Sequence, residues 1–428
     1  MNYQSALDIA RKPYEYTIAL FGISKMQFWL GRYYAAMSSY KRALKESTNA
    51  HDVELSKAGL IKSEAYADRP LLAYRSIPLE PAFTTPEMTI AAAQATLWAD
   101  QADLTKKILT KYQPITQTIP PNSNLGRDLK DLAWQTSLNT HPNVLTPSAF
   151  DAEDSEHFSV LRSALDYSHY WSYHYQSFVG MEQIRYKQSS SLLNAQGVYF
   201  RQKWRPTRTL TFNGKLEPTR YQRWNPLLWL ANASYRPNDY FGVEWLTKNE
   251  IVETFPAFSH HISGYQQAAT VCLSPVPYVR FNGSMSRLNL SDDNIRNGYF
   301  ISATTTLWTV MGLNLTLQNR GYTDKFVSPY YFSPNEYNAS AAILRVGGRV
   351  HSVWHYYLDG GLGVQNIGIT GNPTATSPTR QWGIGLNGPI NSYLVLNAYY
   401  AMSRQVSAFL GSPDYKYQYG AISLSALL

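Results

Sequence analysis

Four local patterns have residue types that could do chemistry. Gly383-Ile384-Gly385-Leu386-Asn387-Gly388 fits G-x-G-x-x-G, the turn that lets a helix N-terminus meet a pyrophosphate when a strand precedes it and a helix comes after it. The next residues, PINSYLVLNAYYAM, read as another strand, so the geometry for a nucleotide is missing. His351 and His355 are four residues apart. On a helix they would share a zinc ion; on a strand they lie roughly 13 Å apart. His260-His261 has no Cys or carboxylate cluster nearby, and Asp292-Asp293 sits in a Leu-Ser-Asp-Asp-Asn turn, where exposed turn carboxylates are expected. There is no nucleophile elbow, P-loop or zincin pattern. The sequence therefore implies no enzyme, no metal site and no cofactor.

The elements that would have to position such residues have two different periods. Up to about residue 140 the apolar spacing is helical. Gly31-Arg32-Tyr33-Tyr34-Ala35-Ala36 through Tyr40 and Ala43-Leu44 fits G-x-Y-x-x-A-x-x-x-Y-x-x-A-L, the second half of a tetratricopeptide repeat. Gly31 and Ala36 are expected to let two antiparallel helices approach closely, with Tyr33, Tyr40 and Ala43 filling the seam. Tyr74 comes one 34-residue period after Tyr40, and TIAAAQATLWADQADLTKKILTKY is a weaker third unit. Segment 113–124 reads as a loop, LGRDLKDLAWQTSL as a last helix, and 141–156, with two prolines and an acidic cluster, as a linker. A stacked solenoid of this kind binds partners.

From residue 157 the period is two. In Gly312–Arg320 and Trp354–Leu362 apolar residues alternate with polar ones, as they do in 209–217, 240–248, 381–388 and 417–428. Turn signals separate them: RPTR, EPTR, RPND, LSDDN and GNPTATSPT. Alternation over eight or more residues gives strands whose two faces meet different solvents. The strands are long, and 157–428 at about 17 residues per strand and connection holds roughly 16 of them, an even number as outer-membrane barrels require. The last strand, ending at Leu428 with Ile422, Leu424 and Ala426 on one face, closes against the first.

Composition agrees. Aromatic residues are 14% and charged residues 16%, with 33 Tyr and 11 Trp, against a usual charged share of about 25%. Such rings suit a membrane–water boundary. Mean hydropathy is −0.33, and no apolar run reaches the roughly 18 residues of a membrane-crossing helix. Cys272 is the single cysteine, so no internal disulfide forms. The formal net charge is +8, with 22 Lys/Arg against 13 Asp/Glu after residue 156, and no dense basic run points to nucleic acid. The start MNYQSALDIARKPYEY lacks the apolar core of a secretory leader, so the expectation is a mature or truncated form or a misassigned start.

Short segments carry a resemblance. Tyr331-Phe332-Ser333-Pro334-Asn335-Glu336-Tyr337, Leu290 to Arg296, and Val252-Glu253-Thr254-Phe255-Pro256-Ala257 look like Y-F-S-P-x-x-Y/F, S-D-G/D-N-x-R and E-T-P-x-R/A segments. With helical repeats before a barrel of about 16 strands, the chain resembles the exopolysaccharide export porins of Gram-negative bacteria, most of all the poly-β-1,6-N-acetylglucosamine export porin family. The cellulose secretion channel is a more distant relative in architecture. The resemblance implies a tetratricopeptide-like periplasmic domain (1–140), a linker (141–156) and an outer-membrane porin barrel (157–428), monomeric and set in outer-membrane lipid. It implies export of a biofilm polymer and a periplasmic partner, a polysaccharide-modifying enzyme or a synthase complex. The family's repeat domain is longer, so the chain corresponds to the C-terminal part of a larger protein or to a short homologue. The net basic barrel leaves a neutral or anionic glycan as open as a cationic one.

From the alternation, the expected lumen residues are Lys215, Glu217, Glu244, Lys248, Arg280, Asn282, Asn314, Gln318, Arg320, His355, Tyr357, Asp359 and Gln381. A charge at mid-membrane on the lipid side would cost about 2–4 kcal/mol. The alternatives are a non-exporting surface protein or phage receptor of the same architecture, an outer-membrane enzyme, and a soluble propeller or sandwich behind a repeat domain.

Overall fold

The computed structural model describes residues 3–10, 12–78, 82–222, 224–350 and 353–428. Nine helices among the described residues precede the barrel: α1 (Tyr3–Ile9), α2 (Pro13–Trp29), α3 (Tyr33–Glu46), α4 (Ala50–Tyr66), α5 (Pro70–Arg75), α6 (Pro86–Trp98), α7 (Ala102–Lys111), α8 (Gln113–Thr116) and α9 (Asn124–Thr140). Sixteen antiparallel strands then form a closed barrel, each paired to its sequence neighbour and β16 to β1. They are β1 (Asn143–Asp154), β2 (Phe158–Ser172), β3 (Tyr175–Gln188), β4 (Ser191–Thr207), β5 (Leu210–Tyr221), β6 (Leu227–Tyr235), β7 (Phe241–Ile251), β8 (Ser263–Leu273), β9 (Val279–Leu290), β10 (Ile295–Trp308), β11 (Leu313–Asp324), β12 (Glu336–Val350), β13 (Trp354–Gly368), β14 (Ala375–Pro389), β15 (Leu394–Arg404) and β16 (Tyr417–Leu427). A tenth helix, α10 (Phe255–Ser259), lies between β7 and β8.

The helices pack on one another, α2 on α3, α3 on α4, α4 on α6 and α6 on α7. Tyr40 is buried with its ring against Gly59 of α4, where an added methyl would sit 2.2 Å from the ring. Ala36 and Ala43 are fully buried in the seam. Gly31 is not in that seam. It sits in the α2–α3 turn at φ +70°, a conformation that suits glycine because a Cβ clashes there. The repeat reading stops short at α5: the helix that carries Tyr74 is only six residues long. Segment 113–124 carries the single turn of α8.

The barrel begins earlier than its alternation suggests. Segment 141–156, expected to be a linker, is mostly β1. Its proline is tolerated because it sits at the closing seam. Pro147 has no N–H to donate, and the β1–β16 pairing lapses between Leu145 and Ser148 while Thr146 Oγ1 meets Ser425 Oγ at 3.0 Å. The acidic cluster ends in Asp154, buried, where one carboxylate oxygen accepts from the backbone N–H of Phe158 at 2.9 Å and the other from the Tyr415 hydroxyl at 3.0 Å. EPTR, expected to be a turn, lies inside β5, with Pro218 facing outward opposite Leu227.

Cross-strand partners share a face, so the register fixes inside and outside. The outer face exposes Leu165, Met181, Val198, Leu216, Ile301, Leu317, Leu358 and Ile384, a surface fitted to hydrocarbon. At one end the strands are joined by short turns, such as 173–174, 208–209 and 309–312; at the other end lie the longer loops 252–262, 325–335 and 405–416. Among the described residues no helix is long and apolar enough to cross a membrane.

Candidate functional site: a lumen between a helical layer and inward-folded loops

The glycine motif serves the wall. Gly383–Gly388 lies within β14 and leads to β15, not to a helix. Gly385 makes room for a lumen ring, since a methyl there would meet Tyr357 at 2.1 Å. His351 lies outside the described residues. His260 and His261 stack on Tyr330 and Trp224 with ring centroids 4.1 and 5.2 Å apart, and no group of three or more metal-ligating side chains occurs among the described residues. Asp292 is half-buried rather than exposed. It accepts the Tyr331 hydroxyl at 3.0 Å and the backbone N–H of Asn294 at 3.3 Å, anchoring loop 325–335.

The helical layer covers the turn end of the barrel. The Gly31 carbonyl accepts from Thr309 Oγ1 at 3.0 Å and Tyr278 Oη at 3.3 Å. Arg69 donates to the carbonyls of Asp239 and Ser274, each at 2.9 Å. The Asp239 carboxylate in turn accepts the N–H groups of Leu71 and Leu72 at the start of α5, at 3.0 and 2.9 Å. Further round the rim, Asp103 accepts from Tyr173 N, Asp100 pairs with Arg205 at 2.6 Å, Asp68 with Arg280, and Asp131 with Arg349 at 2.9 Å. Replacing Gly31 by alanine should therefore destabilise this docking twice. The left-handed backbone costs roughly 1–2 kcal/mol with a Cβ, and the methyl would lie 1.7 Å from Thr309 Oγ1. The helical far-ultraviolet signal should melt at a lower temperature, and a second change, Thr309→Ala, should restore only part of the loss.

Asp131 gives the docking a pH dependence. Burial works against its charge, but the His355 and Gln135 side chains, and then the Arg349 guanidinium, hold the carboxyl below the ordinary carboxylate value. A carboxylate with a depressed folded pKa contributes stability above its unfolded value of about 3.9, and this is lost as pH falls through the folded one. Asp131→Asn should lower the melting temperature of the helical domain at pH 6, and the two proteins should converge at a pH below the folded value.

Between the helices and the lumen lies a chamber of about 1390 Å³. Its helical side is aromatic: Phe28, Tyr33 and Tyr66 meet with centroids 5.1–5.4 Å apart. Burial, and then the neighbouring Tyr66, push the Tyr33 hydroxyl up to about 12, so it stays a neutral donor. The barrel side presents Arg280, Asn282, Asn314, Gln318, Asp359 and Gln381. A second cavity of about 690 Å³ near the loop end is lined by Lys215, Glu217 and Lys248.

The register places all thirteen expected residues on the lumen face, but it does not bring them together. Six line the first chamber and three the second. Glu244 accepts from Asn232 Nδ2 at 2.6 Å, Tyr357 lies under the Arg345 guanidinium at 4.7 Å, and His355 Nε2 stands 3.7 Å from Asp131. Arg320 donates to the Val406 carbonyl at 2.9 Å and so holds a loop. Lys215 and Lys248 pair with Glu217 and Glu250 at 2.6 and 2.5 Å. Sequence reasoning missed Arg296, Arg345 and Arg349, which alternation alone could have found, and Arg162 and the helical aromatics, which it could not place.

At the loop end three loops fold inward. In 252–262, Glu253 accepts from Arg162 at 3.0 Å and Tyr186 at 2.8 Å, and Phe258 packs on Tyr186 and Tyr221 inside the wall. Thr254 Oγ1 donates to the Tyr330 carbonyl at 2.6 Å, and Phe332 N to the Phe409 carbonyl at 2.9 Å, tying the three loops together. Loop 405–416 turns into the lumen. Val406 is 1% exposed, its N–H donates to Gln365 Oε1 at 3.2 Å, and Arg296 donates to the Ala408 and Phe332 carbonyls.

No family model matches the sequence, and no curated protein matches it. Among solved structures, a "Bacterial polysaccharide outer membrane secretin" is similar with a TM-score of 0.54 at 13% identity over 68% of this chain and 99% of that one. CdiB from Acinetobacter baumannii has a TM-score of 0.43 at 10% identity, over 66% of this chain and 60% of that one. OccK11 (OpdR) from Pseudomonas aeruginosa has 0.38 at 10%, over 67% and 96%. The fold is that of a closed, 16-strand antiparallel barrel, as in that outer-membrane secretin.

Proposed function

We propose that the protein is an outer-membrane porin that exports an exopolysaccharide, a poly-N-acetylglucosamine-like biofilm polymer, from the periplasm. The observation that carries this is the chamber between the helical layer and the lumen, with aromatic rings on one side and Asn, Gln and Arg groups on the other. Tyr33 and Tyr66 offer faces to sugar rings, and Asn282, Asn314, Gln318 and Gln381 replace the water around sugar hydroxyls. Such contacts must each stay weak for a chain to move. The fold likeness to a structure titled as a polysaccharide secretin supports the same reading. Short turns on the periplasmic side and long loops outside are the rule for these barrels, and the helical domain at the turn end supports a periplasmic reading for it. There, as a tetratricopeptide-like solenoid, it docks a polysaccharide-modifying enzyme or synthase complex. In the chamber the acids Asp68, Asp128 and Asp359 are each paired with a base, so the remaining basic groups favour a neutral or acidic glycan over a deacetylated one.

Deleting the gene should abolish polymer release while synthesis continues, and purified protein should form ion-conducting pores in planar bilayers. Unchanged release, with no conductance at any voltage, would sink the export reading. The loops folded into the lumen favour a second reading, a non-exporting surface protein of the same architecture. It predicts normal polymer release in the deletion strain.

A further inference from the structure

The outer wall of the barrel is not uniform around its circumference. Cross-strand partners on β2 to β6 form two level rows on the lipid-facing side. The lower row is Leu165, Met181 and Val198, continued by the Pro218–Leu227 pair, and it is apolar throughout. The row above it, one strand repeat (about 7 Å) nearer the loop end, is Ser163, Gln183, Gln196 and Arg220. Above that, β3 alone adds Arg185 and Lys187. The lower two rows line an outward-facing groove of about 880 Å³. Arg185, Lys187 and Arg220 are all exposed, and none is in an ion pair among the described residues, whereas most lumen bases are paired. Toward the turn end the same face carries a cluster of rings. Tyr175, Trp204 and Phe212 stack with centroids 6.4 and 5.2 Å apart.

We infer that this groove binds a membrane lipid with a phosphorylated headgroup, its acyl chains along the apolar row and its phosphates on Arg185, Lys187 and Arg220. The inference rests on the reading that the barrel spans the outer membrane with its loops outward. Unpaired cations facing away from the lumen gain nothing from a cargo inside it. At the headgroup level of an anionic leaflet each gains an electrostatic attraction, and guanidinium groups form bidentate bonds to phosphate. Pro218 shapes the site. With no N–H to give, it leaves the β4–β5 pairing open between Gly197 and Phe200, where Val198 and Pro218 line the groove.

The test uses the full-length protein in detergent, with a bis-phosphorylated, acylated diglucosamine lipid and its dephosphorylated form as probes, read by native mass spectrometry. The phosphorylated lipid should be retained and the dephosphorylated one lost. The triple variant Arg185→Gln, Lys187→Gln, Arg220→Gln should bind on the order of 100-fold more weakly. A control pair elsewhere on the outer wall, Arg287→Gln with Arg380→Gln, should leave binding unchanged. Equal retention of both lipids by the wild type overturns the inference, and that comparison needs no variant to fold. So does equal loss in the control pair, or displacement of the lipid by a soluble acidic polysaccharide. Export can fail its own test while this one succeeds, because lipid binding in detergent needs no open pore.

Discussion

Replacing Arg296 by alanine should open the loop end of the barrel. The Arg296 guanidinium is paired with Asp324 at 2.8 Å, both side chains almost fully buried, and its remaining donors hold the carbonyls of Ala408 and Phe332 in two different loops. Removing one partner of a buried pair costs about 3–5 kcal/mol, because the other charge is left without compensation. Here that cost falls on the state in which loop 405–416 is tucked inside, since solvent entering around a displaced loop is what rehydrates Asp324. The expected result is a large rise in open-channel current in planar bilayers relative to the wild type. Replacing 406–415 by a short Gly-Ser turn should do the same without disturbing the wall. If both variants conduct no more than the wild type, loop 405–416 is not the barrier. Arg320→Ala, which removes a hold on the loop at Val406 but leaves the buried Arg296–Asp324 pair intact, should have a smaller effect.

Asp239→Ala should release the helical domain from the turn end. Asp239 is 5% exposed, and its carboxylate accepts two backbone N–H groups of α5. Hydrogen bonds to a charged group contribute about 1.5–3 kcal/mol each, so losing both removes about 3 kcal/mol or more of docking and leaves the two donors unsatisfied. Limited proteolysis near residues 141–142 should then cut the helices away from an intact, heat-modifiable barrel, at protease levels that spare the wild type. Asp239→Asn keeps one strong acceptor and should fall between the two. If the helices stay protected in Asp239→Ala, the other rim contacts are sufficient on their own.

The alternation of apolar and polar residues determined a great deal without any coordinates. It specifies the strand type, the approximate strand number, closure by the last strand, and the inward face of Lys215, Asn282, Gln318, Asp359 and the other lumen residues. A strand has a period of two, and a charge on the lipid side is expensive, so each charged residue reports its own face. The helical half is legible by its period too, and Ala36, Tyr40 and Ala43 are buried as their spacing implies. Sequence and structure differ where a local signal competes with a distant partner. Pro142, Pro147 and the acids of 141–156 look like a linker. Most of that segment becomes β1 (Asn143–Asp154) because β16, at the far end of the chain, supplies the pairing, and because Asp154 meets Tyr415. Pro218 looks like a turn and is part of a wall.

What the tertiary structure alone decided is which residues face each other across space. Gly31 reads as a seam glycine in the sequence, and it is a docking point because a barrel turn reaches its carbonyl. Arg320 reads as a pore residue, and it holds a loop. The lumen, legible as a polar face, is divided into chambers by helices at one end and loops at the other. Those helices and loops are held by single ion pairs and carbonyl contacts between residues far apart in the chain, which no periodicity encodes.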